Sequence, residues 1–146
     1  MKNALQRWSL PSRLALGLAG GLGLTLLVMA TQLEPDPRGF GTHTQFGLMP
    51  CTFSEIIGQQ FAGIRCPMCG GTTAWAHVVR GEFLKAAQTN LAATLLCAAV
   101  VVGSPLAIVM ALVGMKTRRW PTLRFALVIA SVWSAVAVLD WLRKLV

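Results

Sequence analysis

The chain has 146 residues, of which 55% are hydrophobic and only 12% charged, and its net charge is +8. Ordinary soluble domains carry about 25% charged residues, so these few charges cannot cover a soluble protein this apolar. The basic residues flank apolar runs instead of gathering on one polar face, which argues against a nucleic-acid partner and makes the lipid bilayer the expected one.

The first apolar run, Leu14 to Leu33, is uncharged and follows Lys2, Arg7 and Arg13. It has the length of a spanning helix and exceeds the about 7–15 residues of a signal-peptide core. A retained helix is therefore expected, although Val28-Met29-Ala30 would pass as a cleavage site. Gly17 and Gly21 stand in a G-x-x-x-G spacing, which lets a second helix approach closely.

From Glu34 to Asn90 the chain leaves the apolar pattern. Glu34-Pro35-Asp36-Pro37-Arg38-Gly39 reads as extended or turned, because proline fixes φ and removes a donor. Residues up to Pro50 read as irregular. Thr52-Phe-Ser-Glu55 is a capping box and predicts a short helix from about Phe53 to Gln60. A second short helix is expected from about Thr72. Trp75, Val78, Val79, Phe83, Ala86 and Ala87 recur on one face, with Thr73, His77, Arg80, Lys85 and Gln88 mostly between them. Gly81 is the expected break, and the pattern suits a helix lying in the membrane interface.

The second span is expected over Leu91–Met115, with Pro105 inside it, and the third over Phe125–Leu142, with Asp140 near its end. Asp140 is placed to pair with Arg143 or Lys144, close enough to the interface to be solvated. Trp8, Trp120 and Trp141 flank the spans, where an indole suits either the headgroup level or helix packing. Lys116, Arg118, Arg119 and Arg124 lie between the last two spans. With the N-terminal cations they place the N-terminus and this loop on the cytoplasmic side, and residues 34–90 on the outer side. Arg143 and Lys144 then fall on the outer side, against the rule. The expectation is an all-α integral membrane protein. It forms a single membrane domain over residues 1–146, with a segment of two short helices, bearing cysteines, between the first and second spans.

Chemistry concentrates in that segment. Cys51, Cys66 and Cys69 follow a C-x14-C-x2-C spacing, while Cys97 lies inside the second span, where a thiol packs as a small apolar group. Cys-Pro-Met-Cys-Gly resembles the turn of a zinc ribbon, with Pro67 holding the bend and Gly70 free to take a left-handed conformation. A zinc site needs a fourth ligand. His43 and His77 are the candidates, and His77 stands eight residues past Cys69, about two helical turns away. A C-x-x-C pair ahead of a helix also suits thiol exchange, because the helix N-terminus favours a thiolate. A βαβ pattern for a thioredoxin fold is missing. A stapling disulfide in an oxidising compartment is the third reading, and it leaves one thiol over. Two histidines and five scattered carboxylates give little for acid–base catalysis, so an enzyme is not the favoured reading.

Cys51, the run 66-CPMCGGT-72, Arg80-Gly81 and Asn90 ahead of the second span resemble the domain-of-unknown-function 2752 (DUF2752) family of small bacterial membrane proteins. The resemblance covers about Pro50 to Met115. It implies a membrane fold and singles out Cys51, Cys66, Cys69, Pro67, Gly70, Thr72, Arg80, Gly81 and Asn90. Thr73 stands where the family usually has Arg, and Leu91 where it usually has Pro. Any anion-binding or thiolate-pairing role of that Arg is missing here or passes to Arg65 or Arg80. The resemblance does not choose between metal and redox. The leading expectation is a binding or accessory protein with a metal or thiol site, zinc being the candidate metal. The alternatives are a membrane thiol–disulfide oxidoreductase, and a structural or interaction subunit stapled by a disulfide. A membrane-protein partner or a second copy of the chain suits each of these.

Overall fold

The computed structural model describes residues 6–51, 65–116 and 123–145. The capping box at Thr52–Glu55 and the helix expected to Gln60 lie outside these residues, as do Lys2, Arg118, Arg119 and Trp120.

Helix α1 runs over Leu10–Gln32. It opens four residues before the expected span, because Pro11 suits a first turn where the missing N–H costs nothing. Arg13 therefore lies inside the helix. Its guanidinium donates to Ala111 O at 2.7 Å and Leu112 O at 2.9 Å, carbonyls that would otherwise lack partners at the end of another helix. After α1, a 3-10 helix covers Thr42–Phe46. Two short helices follow, α2 over Gly71–Val78 and α3 over Phe83–Thr89, broken where Gly81 takes φ +77°. Helix α4 spans Leu91–Val113 and continues through Pro105, and α5 spans Leu123–Arg143. Gln6–Arg7 (β1) and Met115–Lys116 (β2) pair antiparallel, Gln6 with Lys116 and Arg7 with Met115. The protein is an all-α membrane protein apart from this short ladder, and among the described residues α1, α4 and α5 are the helices long and apolar enough to cross a bilayer.

The principal helix pair is α1 with α4. A Cβ built on Gly20 would meet Ser104 O and Ile108 Cγ1, both at 2.7 Å, and one on Gly23 would reach Ser104. Gly17 would make an ordinary contact with Ala111 at 3.7 Å, whereas Gly21 has nothing within 4 Å. The close approach expected at Gly17 and Gly21 thus falls to Gly20 and Gly23. An i, i+4 spacing marks one face of a helix without saying which other glycines share it.

Away from this seam the helices keep their large side chains outward, as lipid-facing residues do: Leu18 is 75% exposed, Leu112 73% and Leu139 66%. The buried cluster is made of small residues, Ala74, Val78, Ala86, Ala93 and Cys97, with Leu27 and Trp75 packed against it. It joins α2, α3 and the first turns of α4, and Cys97 is the packing residue expected. The face expected on α2 and α3 is only partly the buried one. Thr73, read as polar-facing, is fully buried, and Phe83 and Leu84 are exposed.

Helix α5 is fastened to α4 by polar contacts. Trp133 Nε1 donates to Ala92 O at 2.9 Å, and the Asp140 carboxylate accepts from Leu91 N at 3.2 Å. Asp140 also pairs with Arg143 at 2.6 Å and Lys144 at 2.8 Å, with only 2% of its side chain exposed. The expected pairing is present, but the carboxylate is buried by helix packing and not solvated.

Candidate functional site

The site begins with the turn at 66–70. Cys69 N donates to Cys66 O at 3.0 Å and Gly71 N to Met68 O at 3.0 Å, which folds the C-x-x-C pair back on itself. Gly70 is the N-cap of α2 at φ +85°, a conformation that costs a residue with a Cβ. Space excludes a Cβ as well, since it would stand 2.6 Å from Gly39 O and 3.0 Å from Thr89 Cγ2.

The turn is held from α4. Asn90 is fully buried, and its Oδ1 accepts from Ala93 N at 2.9 Å as the N-cap of that helix. Its Nδ2 donates to Pro67 O and to Cys69 O, each at 3.2 Å. One amide therefore starts a spanning helix and satisfies two carbonyls of the cysteine turn. Trp141 on α5 adds a third tie, Nε1 donating to Arg65 O at 2.6 Å.

Cys51 arrives from the preceding segment. Its Sγ stands 3.5 Å from Cys66 Sγ, and Cys66 Sγ stands 2.9 Å from Cys69 Sγ. All three sulfurs lie within 4.8 Å of one another, so the trio could hold a metal ion. The distances exceed the about 2.05 Å of a disulfide. Burial first, then the hydrogen bonds of Cys69 and Cys51, push the Cys66 thiol up to about 12. A lone thiolate is disfavoured there, and a cation bound to the sulfurs reverses that preference.

A cavity of about 730 Å³ borders the three cysteines, with His43 and Thr72 on its wall. His43 Nε2 lies 3.2 Å from Met49 O. His77 is elsewhere: its Nδ1 is 2.5 Å from Glu82 Oε2, and it lines a different cavity with Arg80. Lys85 and then His77 hold the Glu82 carboxyl below its usual range. Arg65 borders a smaller cavity with Cys66 and Cys69, its guanidinium 4.0 Å from the Phe40 ring centroid, and Arg38 lies over the same ring at 5.2 Å.

Two supports were not read from the sequence. The Thr42 and Thr73 hydroxyls bond at 2.7 Å in full burial, and Thr42 Oγ1 accepts from Asp36 N at 3.1 Å. Position 73 is thus a packing position in this chain, too enclosed for an arginine. The short hydroxyl at a place where the related pattern has Arg was the available signal. Asp36 in turn binds Arg38 through 2.8 Å bonds, which hold its carboxyl down at about 2.

Residues 58–104 match the family model described as protein of unknown function, DUF2752. The likeness to that family is shown over this stretch of the chain alone. The matched DUF2752 stretch contains Cys66, Pro67, Cys69, Gly70, Thr72, Arg80, Gly81 and Asn90, whereas Cys51 precedes it and joins the site through geometry. Neither the curated proteins nor the solved structures give a match.

Proposed function

We propose that this protein is a membrane-anchored accessory protein that binds one soft metal ion, zinc first among them, on Cys51, Cys66 and Cys69. The observation that carries the reading is the convergence of three sulfurs within 4.8 Å. A staple needs two cysteines, and a third brought into contact adds nothing to it. Tetrahedral zinc with Zn–S near 2.3 Å sets sulfurs about 3.8 Å apart, so Cys51 and Cys66 at 3.5 Å suit it, and Cys66 and Cys69 at 2.9 Å would part slightly. The bordering cavity leaves room for a fourth ligand, from His43 or from a partner. The basic clusters support an orientation with the site on the outer side, and the family resemblance supports a bacterial cytoplasmic membrane.

The 2.9 Å approach of Cys66 and Cys69 favours a second reading, thiol exchange. A Cys66–Cys69 disulfide would be attacked by a thiolate of a partner dithiol. The partner would leave as its disulfide, with both cysteines of this chain reduced and the partner's two protons passed to them.

One sample separates the readings. The full chain is purified in mild detergent without chelator, and bound metal and alkylatable thiols are measured together. About one zinc per chain, with the three cysteines protected until chelation, is the expected result. No metal, one alkylatable thiol among the three, and a mixed disulfide trapped in Cys69→Ser would replace metal binding with exchange.

A further inference from the structure

A second cavity, of about 710 Å³, lies beside the cysteine turn, and five Lys or Arg side chains line it against two carboxylates. Both carboxylates are already engaged. Asp36 is held by Arg38, and Glu82 is shared by His77 and Lys85. Lys144 reaches Asp140. Among the described residues no carboxylate pairs with Arg65 or Arg80, and Arg80 uses one donor on Ala76 O at 2.8 Å. The surplus is therefore positive, and it resides in guanidinium groups, whose planar fork matches phosphate oxygens.

Position supplies the second argument. The lining includes Gln88 and Thr89, just before α4, and Lys144, just after α5. The basin thus opens where two spanning helices end, at the depth of phospholipid headgroups. A smaller cavity of about 270 Å³ shares Arg65, Thr89 and Lys144 with it and adds Trp141, Cys66 and Cys69. An indole at this level is the usual interfacial residue.

We propose that this basin, centred on Arg65, Arg80 and Lys144, binds a phosphate group, either of an anionic lipid headgroup or of a small phosphate in solution. The proposal is independent of what the cysteines hold, because none of its charged groups is a sulfur.

The test uses the full chain in mild detergent, with native mass spectrometry and thermal melts. It is titrated separately with phosphatidylglycerol, phosphatidylcholine and inorganic phosphate. Wild type is expected to retain an anionic ligand and melt higher with it, while phosphatidylcholine does neither. An Arg65→Gln/Arg80→Gln double variant is expected to weaken retention about tenfold, and Arg124→Gln, at the other end of α5, to leave it unchanged. Stabilisation by phosphatidylglycerol alone assigns the lipid. Stabilisation by inorganic phosphate, with displacement of the lipid, assigns the soluble ion. Wild type with no preference for either anion over phosphatidylcholine overturns the proposal, as does equal weakening by Arg124→Gln. If the double variant fails to fold, the wild-type preference and Lys85→Gln, an exposed position on the same basin, decide in the same way.

Discussion

Two adjacent glycines of α1 provide a matched pair, Gly20→Ala and Gly21→Ala. Each change adds one methyl, and each removes the same helix-propensity handicap of about 1 kcal/mol. Only the surroundings differ. At Gly20 the new Cβ stands 2.7 Å from Ser104 O and 2.7 Å from Ile108 Cγ1, while at Gly21 nothing lies within 4 Å. Ile108 can turn away, but Ser104 O is backbone and moves only with its helix. Restoring ordinary contact requires α1 and α4 to part by about 0.5–1 Å locally, a gap that forfeits a quarter to a half of each contact's attraction. Overpacking of this kind costs about 1–3 kcal/mol. Gly20→Ala should therefore lose about 0–2 kcal/mol net, and Gly21→Ala should gain up to about 1 kcal/mol. Unfolding in mixed dodecylmaltoside–dodecylsulfate micelles, followed by tryptophan fluorescence, reads the difference. Equal midpoints, or a Gly20→Ala variant firmer than Gly21→Ala, would refute the α1–α4 seam described above.

Other outcomes follow from the site. Gly70→Ala combines a left-handed φ with a backbone clash at 2.6 Å, so it should cost about 3 kcal/mol or more; alkylation of Cys66 and Cys69 should accelerate, and unchanged alkylation would contradict the turn geometry. Asn90→Ala removes the α4 cap and leaves Pro67 O and Cys69 O without its amide, at about 2–4 kcal/mol. Amide exchange should rise in both the cysteine turn and the first turn of α4, and a rise confined to α4 would disprove the shared clamp. Asp36 is held at about 2 by Arg38, below the about 3.9 of an unfolded Asp. A depressed carboxyl stabilises the fold above pH about 4 and loses that contribution as pH falls through about 2. Carbon-detected NMR should find the midpoint near 2 in wild type and nearer 4 in Arg38→Gln, and a wild-type midpoint near 4 would exclude the pairing.

The three spans were legible because bilayer thickness demands a long uncharged run, and a run can be counted in one dimension. Arg13 marks where counting stops. It reads as the boundary of a span, yet it lies inside α1 because its partners, Ala111 O and Leu112 O, are 98 and 99 residues away. Thr73 and Asp140 fail for the same reason. Each is polar and reads as solvated, and each is buried on a partner, Thr42 and Leu91 N respectively, that periodicity cannot reveal. The cysteines were legible as a set, since few other side chains in the segment do chemistry. Their meeting at one site was expected, but the ties by which Asn90 and Trp141 hold the 65–70 turn to α4 and α5 were not, because they join residues far apart in the chain.

Helix α4 receives an anion at its first amide from Asp140 and a cation at its last carbonyls from Arg13, the arrangement that its dipole favours. Neither charge is its own. Synthesis delivers Arg13 first, α4 next and Asp140 last. The far end of α4 can therefore close as soon as it meets α1, while its near end waits for α5. Leu91 N adjoins Asn90, the residue that holds the cysteine turn. The sulfur site is therefore tied to the last helix as well as to α4, and its full set of ties exists only once α5 is in place.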